Sequence, residues 1–281
     1  MNPRPFLLLA ILGAMLFAIG GFISVLGTKG DTGAEAATAL PGFVREASGL
    51  AMIDANHLLT HNDEQGHIYS ITLPGLQITR LASLGDPVVL DDFEGIAVNG
   101  DQIYMITSTG KLYVIRGVSF EKTGQIADWK VLDTGLATVC EVEGLHFDNG
   151  KLLIPCKTLY KKGGTKKSGE NRITVFSYIP GKDKQADTLF SLEDERLKGN
   201  RKRITAIESD DDFFYLVTPA NLLQVRRDTL SLELFPLDPT AHRQPEGIAL
   251  MDNGSFFLLD DRKKGPGGLS HYKDLEAISN F

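Results

Sequence analysis

The feature that most narrows the fold of this chain is a short pattern that recurs five times: a polar or acidic residue, a small residue, then apolar ones. It reads Ser48-Gly49-Leu50, Glu94-Gly95-Ile96, Glu143-Gly144-Leu145, Thr205-Ala206-Ile207 and Glu246-Gly247-Ile248, at intervals of 46, 49, 62 and 41 residues. A turn signal and a second apolar run follow each copy. A unit of about 40–50 residues made of short strands is the period of a β-propeller or a similar array. Five copies predict an all-β, five-bladed β-propeller. Blades cannot bury their faces singly, so the repeat argues for one propeller domain, residues 40–281.

Apolar runs bounded by Asn, Asp and Gly mark the strands. In blade one they are 49–54, 57–61, 67–72 and 76–81; in blade two, 95–98, 102–107, 111–116 and 129–132, with Trp129 an outer packing residue. Blade three has 145–147, 152–155, 173–178 and 187–191, its first pair joined by Asn149-Gly150, a strong hairpin signal. Blade four has 205–208, 213–218, 222–226 and 233–237; blade five has 246–251, 255–259 and 269–272. A fourth strand for blade five is not obvious. Either 38–44 or the tail 275–281 completes it. The long third interval is taken up by a basic insertion, 157–172, and a second basic run occupies 196–203. Both read as solvated loops or as a basic flap beside a binding face.

The net charge of −7 argues against nucleic acid as a partner and leaves cations open. Residues 6–26 form a run of 21 without charge, long enough to cross a bilayer as a helix. Arg4 precedes it, and Lys29, Asp31 and Glu35 follow. The expectation is an N-terminal transmembrane helix in the inner membrane within residues 1–27, with a cytoplasmic tip. A Gly-, Ala- and Thr-rich tether, 28–39, leads to an exported propeller. A cleaved signal peptide is the competing reading. Cys140 and Cys156 flank the Asn149-Gly150 hairpin, offset by three positions from direct opposition. They are either a disulfide, which export favours, or two small buried residues.

In a propeller the first strand of each blade lines the central channel. The acidic residues at those strand starts then converge: Glu46, Asp92 and Glu94, Glu141 and Glu143, and Glu246. Bare carboxylates gathered in a low-dielectric site repel one another, and Ca²⁺, with about six to eight oxygen ligands, would relieve that. Glu46, Glu94, Glu143 and Glu246 are the expected metal ligands. Loops after the second strands open at the same end, making Asp63, Glu64, Lys157, Asp261 and Arg262 the candidate ligand-binding residues. The alternative is that each glutamate caps backbone or pairs with Arg203, Lys157 or Arg262. Nucleophile-elbow, zincin, Cys-x-x-Cys, dinucleotide and phosphate-loop spacings are absent from the sequence. His146 reads as core or channel lining.

The blade starts Glu46-Ala47-Ser48-Gly49-Leu50-Ala51, Asp92-Phe93-Glu94-Gly95-Ile96-Ala97, Val142-Glu143-Gly144-Leu145 and Pro245-Glu246-Gly247-Ile248-Ala249 resemble those of the SdiA-regulated family of bacterial propellers. The loop Asn62-Asp63-Glu64-Gln65-Gly66 is similar too, so the likeness spans residues 40–272. It implies a five-bladed propeller behind a membrane segment, a calcium site and a ligand-binding surface, without an established reaction. A calcium-dependent hydrolase of phytase-like or lactonase-like type, with Asp63 or Glu64 as base and Lys157 and Arg262 clamping an anion, is the rival. Ser48 and Thr205 depart from the repeated glutamate, which excludes a ring with one equivalent glutamate per blade.

Overall fold

A computed structural model describes residues 36–44, 46–160, 171–261 and 267–279. Strand β1 (Ala36–Ala39) comes first. Blade one is β2 (Ala47–Asp54), β3 (His57–Asn62), β4 (His67–Thr72) and β5 (Gln77–Leu84); blade two is β6 (Phe93–Asn99), β7 (Gln102–Thr107), β8 (Lys111–Arg116) and β9 (Gln125–Asp133). Blade three contains β10 (Cys140–Val142), β11 (His146–Asp148), β12 (Lys151–Leu159), β13 (Arg172–Tyr178) and β14 (Asp187–Glu193). Blade four is β15 (Ala206–Ser209), β16 (Phe213–Val217), β17 (Asn221–Arg226) and β18 (Leu232–Pro236). Blade five is β19 (Pro245–Leu250), β20 (Phe256–Asp260) and β21 (Gly268–Tyr272), and a short helix α1 (Leu275–Ile278) follows.

Within each blade neighbouring strands pair antiparallel, β10 and β11 both lying against β12. The innermost strands touch in cyclic order, β2 to β6 to β11 to β15 to β19 and back to β2. The ring is therefore closed. Side-chain alternation explains why: in β8, Leu112 and Val114 enter the core between blades two and three, while Tyr113 and Ile115 enter the core between blades one and two. In β16, Phe214 and Leu216 face blade three, and Tyr215 and Val217 face blade five. A strand covered on both faces reads as an unbroken apolar run.

The closing strand is β1, which pairs with β21 in the register Ala36↔His271 to Ala39↔Gly268. It begins inside the stretch expected as tether, and the tail instead forms α1, whose Ala277 and Ile278 pack into the core between blades four and five. Outer strands β5 and β9 pair in parallel over Ala82↔Gln125 to Leu84↔Ala127, so blades one and two share one sheet of eight strands. Nothing in the periodicity signals that seam.

The repeated small residue has a steric cause. A Cβ on Gly95 would lie 2.5 Å from the carbonyl carbon of Gly144 and 2.6 Å from the amide of Leu145. Around the axis close approaches run from Gly247 to Gly49, Gly95, Gly144 and Ala206, and a hydrogen bond from Thr205 Oγ1 to the Pro245 carbonyl joins blade four to blade five. The inner strands meet backbone to backbone there.

Cys140 and Cys156 form a disulfide across β10 and β12, with Cα atoms 5.9 Å apart. The ladder slips between Glu141 and Val142, bringing Cys156 opposite Val142 and the two sulfurs within reach. Closing a loop of this size stabilises by about 3 kcal/mol. Reduction, or Cys140→Ser with Cys156→Ser, is expected to lower the melting temperature by roughly 6–12 °C. A melt unchanged by reductant under conditions where both thiols become alkylated would remove this contribution.

The apolar run 6–26 lies outside the described residues, and among those described no helix is long and apolar enough to cross a membrane. Of the basic insertion, Lys157 sits on β12 and Arg172 opens β13, while 161–170 lie outside the described residues. The second basic run holds a short 3₁₀ turn, Gly199–Lys202, with exposed Arg203 after it.

Candidate functional site

The five residues that precede the small ones stand around the axis at one end of the channel. Ser48 Oγ lies 3.5 Å from Glu94 Oε2 on the next blade, and Thr205 Oγ1 donates to the Pro245 carbonyl at 2.6 Å. The two blades without a glutamate thus use hydroxyls to tie neighbouring blades together. Glu143 and Glu246 are buried and Glu94 is partly so.

Lys157 reaches this cluster from β12, and its Nζ bonds Glu143 Oε1. Burial is the largest influence on Glu94 and raises its pKa to about 9, with the charges of Glu143, Asp92 and Glu246 adding and Lys157 opposing. Burial also lifts Glu246 to about 8, helped by Glu143 and Asp261 and opposed by Lys157 and a hydrogen bond from Gln244. At Glu143 burial outweighs the pull of Lys157, and the shift is upward. Burial alone would lower Lys157, but Glu143, Glu246 and Glu94 together raise it.

The loop after β3 meets the same end. Asp63 N donates to the Glu46 carbonyl at 3.0 Å, and the Asp63 carbonyl accepts from Phe93 N at 2.6 Å. Burial, then Glu46, Glu64 and Asp261, raise the Asp63 carboxyl to about 7. Asp261, on the loop after β20, is buried, and its amide donates to the Gln244 carbonyl at 2.9 Å. The Asp261 charge acts on both Asp63 and Glu246. Glu46 is half-buried in a turn with φ of 56°, and Glu64 is exposed at the rim.

Two carboxylate oxygens here have no hydrogen-bond partner although buried: Asp63 Oδ1 and Glu246 Oε2. His61 Nε2, deeper under Gly49, is a third such atom. Burial lowers the His61 pKa to about 4, so the ring is neutral. Its Nδ1 lies 3.0 Å from the Asn62 carbonyl and carries the proton, which leaves Nε2 an acceptor. Such buried atoms are rare and call for a reason.

The structure therefore gathers Glu94, Glu143, Glu246 and Lys157, with Asp63 and Asp261 beside them. Arg262 lies outside the described residues. Calcium is another matter. Among the described residues no group of three or more His, Cys, Asp or Glu side chains is arranged to hold a metal ion. Lys157 already occupies Glu143, and the charge of Glu46 acts on Asp63. These residues do not fit a calcium cage. The anion clamp also changes character, because Lys157 is spent on a carboxylate.

A buried network that no motif announces lies in blade five. His242 Nδ1 contacts Asp260 Oδ2 at 2.6 Å, and His242 Nε2 contacts the Tyr272 hydroxyl at 2.5 Å. All three are buried, and Asp260 also accepts from Gln244 N, which holds the loop ahead of β19 onto blade five. Their sequence separations of 18 and 30 match no short motif. His146 lies on β11 with Nδ1 2.7 Å from Glu208 Oε1 on β15, a lining pair between blades three and four.

Closed ring, radial sheets and polar channel end define a β-propeller. The chain matches no protein-family model and no curated protein. Solved structures agree on the fold. Glutaminyl cyclase from Myxococcus xanthus aligns with a TM-score of 0.51 at 17% identity, over 84% of this chain and 95% of that one. The PQQ-bound aldose sugar dehydrogenase of Streptomyces coelicolor aligns with a TM-score of 0.51 at 10% identity, over 84% of this chain and 98% of that one. At such identities the likeness speaks to architecture only, since function belongs to sites and not to scaffolds.

Proposed function

We propose that this protein is a membrane-tethered, exported β-propeller whose acidic channel end binds a cationic ligand through N–H donors. The observation that carries this is the pair of buried, unpartnered acceptors, Asp63 Oδ1 and Glu246 Oε2, both acted on by the Asp261 charge. A buried acceptor without a donor costs about 1–3 kcal/mol, which a ligand supplying N–H groups recovers. Glu46 and Glu64 add negative charge near Asp63, attracting a cation. Because Asp63 and Glu246 hold protons up to about 7 and about 8, binding releases protons and the affinity rises with pH.

Export is supported by the uncharged run 6–26 and by the Cys140–Cys156 disulfide, which suits an oxidising compartment. In this reading the N-terminus stays in the cytoplasm and the run holds the propeller outside the inner membrane. Membership of the SdiA-regulated family is part of the proposal on the strength of the repeated blade starts. Calcium, which that family would bring, is not part of it.

The test is a melting series with methylammonium, ethylenediamine and arginine amide, against tetramethylammonium as a cation without N–H. At about a hundred times Kd a bound ligand adds about 2.7 kcal/mol, so the melt rises by roughly 5–10 °C. Asp63→Asn and Glu246→Gln are expected to erase the rise. If no N–H cation exceeds tetramethylammonium, the reading fails.

One observation favours a second reading. A carboxyl at about 7 is poised for general acid–base work, and Asp63 would serve a hydrolase in that role. Turnover of phosphomonoesters, phytate or lactones that disappears in a stably folded Asp63→Asn variant would support it.

A further inference from the structure

We infer that Lys157 is the resident cation of the channel end and supplies there the positive charge that the carboxylates would otherwise draw from a metal ion. Glu143 is 2% exposed, and an isolated charge at that depth needs a partner. Its partner is on the same blade: Lys157 Nζ bonds Glu143 Oε1, with the lysine side chain only 19% exposed. The lysine charge also acts on Glu94 and Glu246, so one ammonium serves three blades.

The strand geometry fixes it in place. Cys156, the residue before Lys157, is cross-linked to Cys140 on β10. Val142, the residue before Glu143, pairs with that same Cys156, and Glu143 N donates to the Pro155 carbonyl at 3.1 Å. Both ends of the ion pair thus stand on backbone clamped by a disulfide and a ladder. A covalently held cation loses no translational freedom on docking, whereas a dissolved ion must be captured and stripped of water. With Lys157 seated on Glu143, a divalent ion would have to displace it to gain the most buried carboxylate. In keeping with this, no group of three or more His, Cys, Asp or Glu side chains among the described residues is arranged to hold a metal ion.

This inference concerns the inner cluster and does not depend on which ligand reaches Asp63 and Asp261, so the two can fail separately. The test is a set of melts of the full chain in EDTA, Mg²⁺ and Ca²⁺. The wild-type protein is expected to melt at the same temperature in all three, and a Ca²⁺-specific rise would overturn the inference. Lys157→Met, which leaves buried Glu143 without its partner, is expected to melt about 10 °C lower in EDTA and to regain most of that in Ca²⁺ but not Mg²⁺. A Lys157→Met protein that melts like the wild type and ignores Ca²⁺ would also overturn it. Should Lys157→Met not fold, the double variant Lys157→Met with Glu143→Gln removes both charges and is expected to melt within a few degrees of the wild type. A double variant as unstable as the single one would show that the charge of Lys157 is not what the cluster needs.

Discussion

Gly95→Ala is expected to lower the melting temperature by about 10 °C, a loss of roughly 3 kcal/mol, without touching any side chain of the site. The new Cβ would sit 2.5 Å from the carbonyl carbon of Gly144 and 2.6 Å from the Leu145 amide, and both obstacles are backbone. A flexible side chain could swing away. Here the inner strand of blade three must retreat from the axis, and the retreat opens the core that Ala97 and Leu145 close between blades two and three. The control is Gly100→Ala, at a turn with φ of 60° and no atom within 4 Å of an added Cβ. It carries only left-handed backbone strain, about 1 kcal/mol. Thermal melts of the two variants side by side decide the matter. If Gly95→Ala is no worse than Gly100→Ala, the backbone-to-backbone ring is not what the repeated small residue serves.

That ring also shows how much of the fold could be read from residues alone. The polar-small-apolar pattern was visible because the same steric demand acts once per blade, so it repeats in the sequence at the blade period. Alternation inside β8 and β16 was legible as continuous apolar runs, since neighbouring blades cover both faces. The parallel seam of β5 with β9 left no trace, because Ala82–Leu84 and Gln125–Ala127 follow no distinctive pattern. Closure by β1 could not be separated from closure by the tail, since the two segments are similarly short and apolar. At the site, convergence of Glu94, Glu143 and Glu246 followed from blade geometry, but the destination of Lys157 did not. A lysine after a strand reads equally well as an anion clamp or as a carboxylate's partner. Only the slipped register at Val142, which brings β12 against β10, aims it at Glu143. The His242–Asp260–Tyr272 network was out of reach for the same reason: its members are assembled by pairing between β20 and β21 and by the loop ahead of β19.

Raising the pH from about 5 to about 9 is expected to destabilise the protein progressively, and Glu246→Gln to blunt that loss. The folded state holds Asp63, Glu246 and Glu94 protonated up to about 7, about 8 and about 9, against ordinary values of 3.8, 4.5 and 4.5. Between the ordinary and the raised value the folded chain keeps a proton that the unfolded chain has already released. The native state then binds more protons, so stability falls as pH rises, by up to about 1.4 kcal/mol per pH unit for each such group. The contribution is complete below about pH 4 and ends group by group as Asp63, Glu246 and Glu94 finally ionise. Glutamine at position 246 keeps the shape and the hydrogen-bonding reach but has no proton to lose. At pH 5 the variant should therefore melt close to the wild type, and at pH 9 it should be more stable by about 2 kcal/mol, some 4–8 °C. The gain sits below the single-group ceiling because the glutamine amide is itself a polar group whose burial costs free energy. Chemical denaturation of both proteins across this range is the measurement, and parallel pH profiles would show that Glu246 is not held protonated in the folded chain.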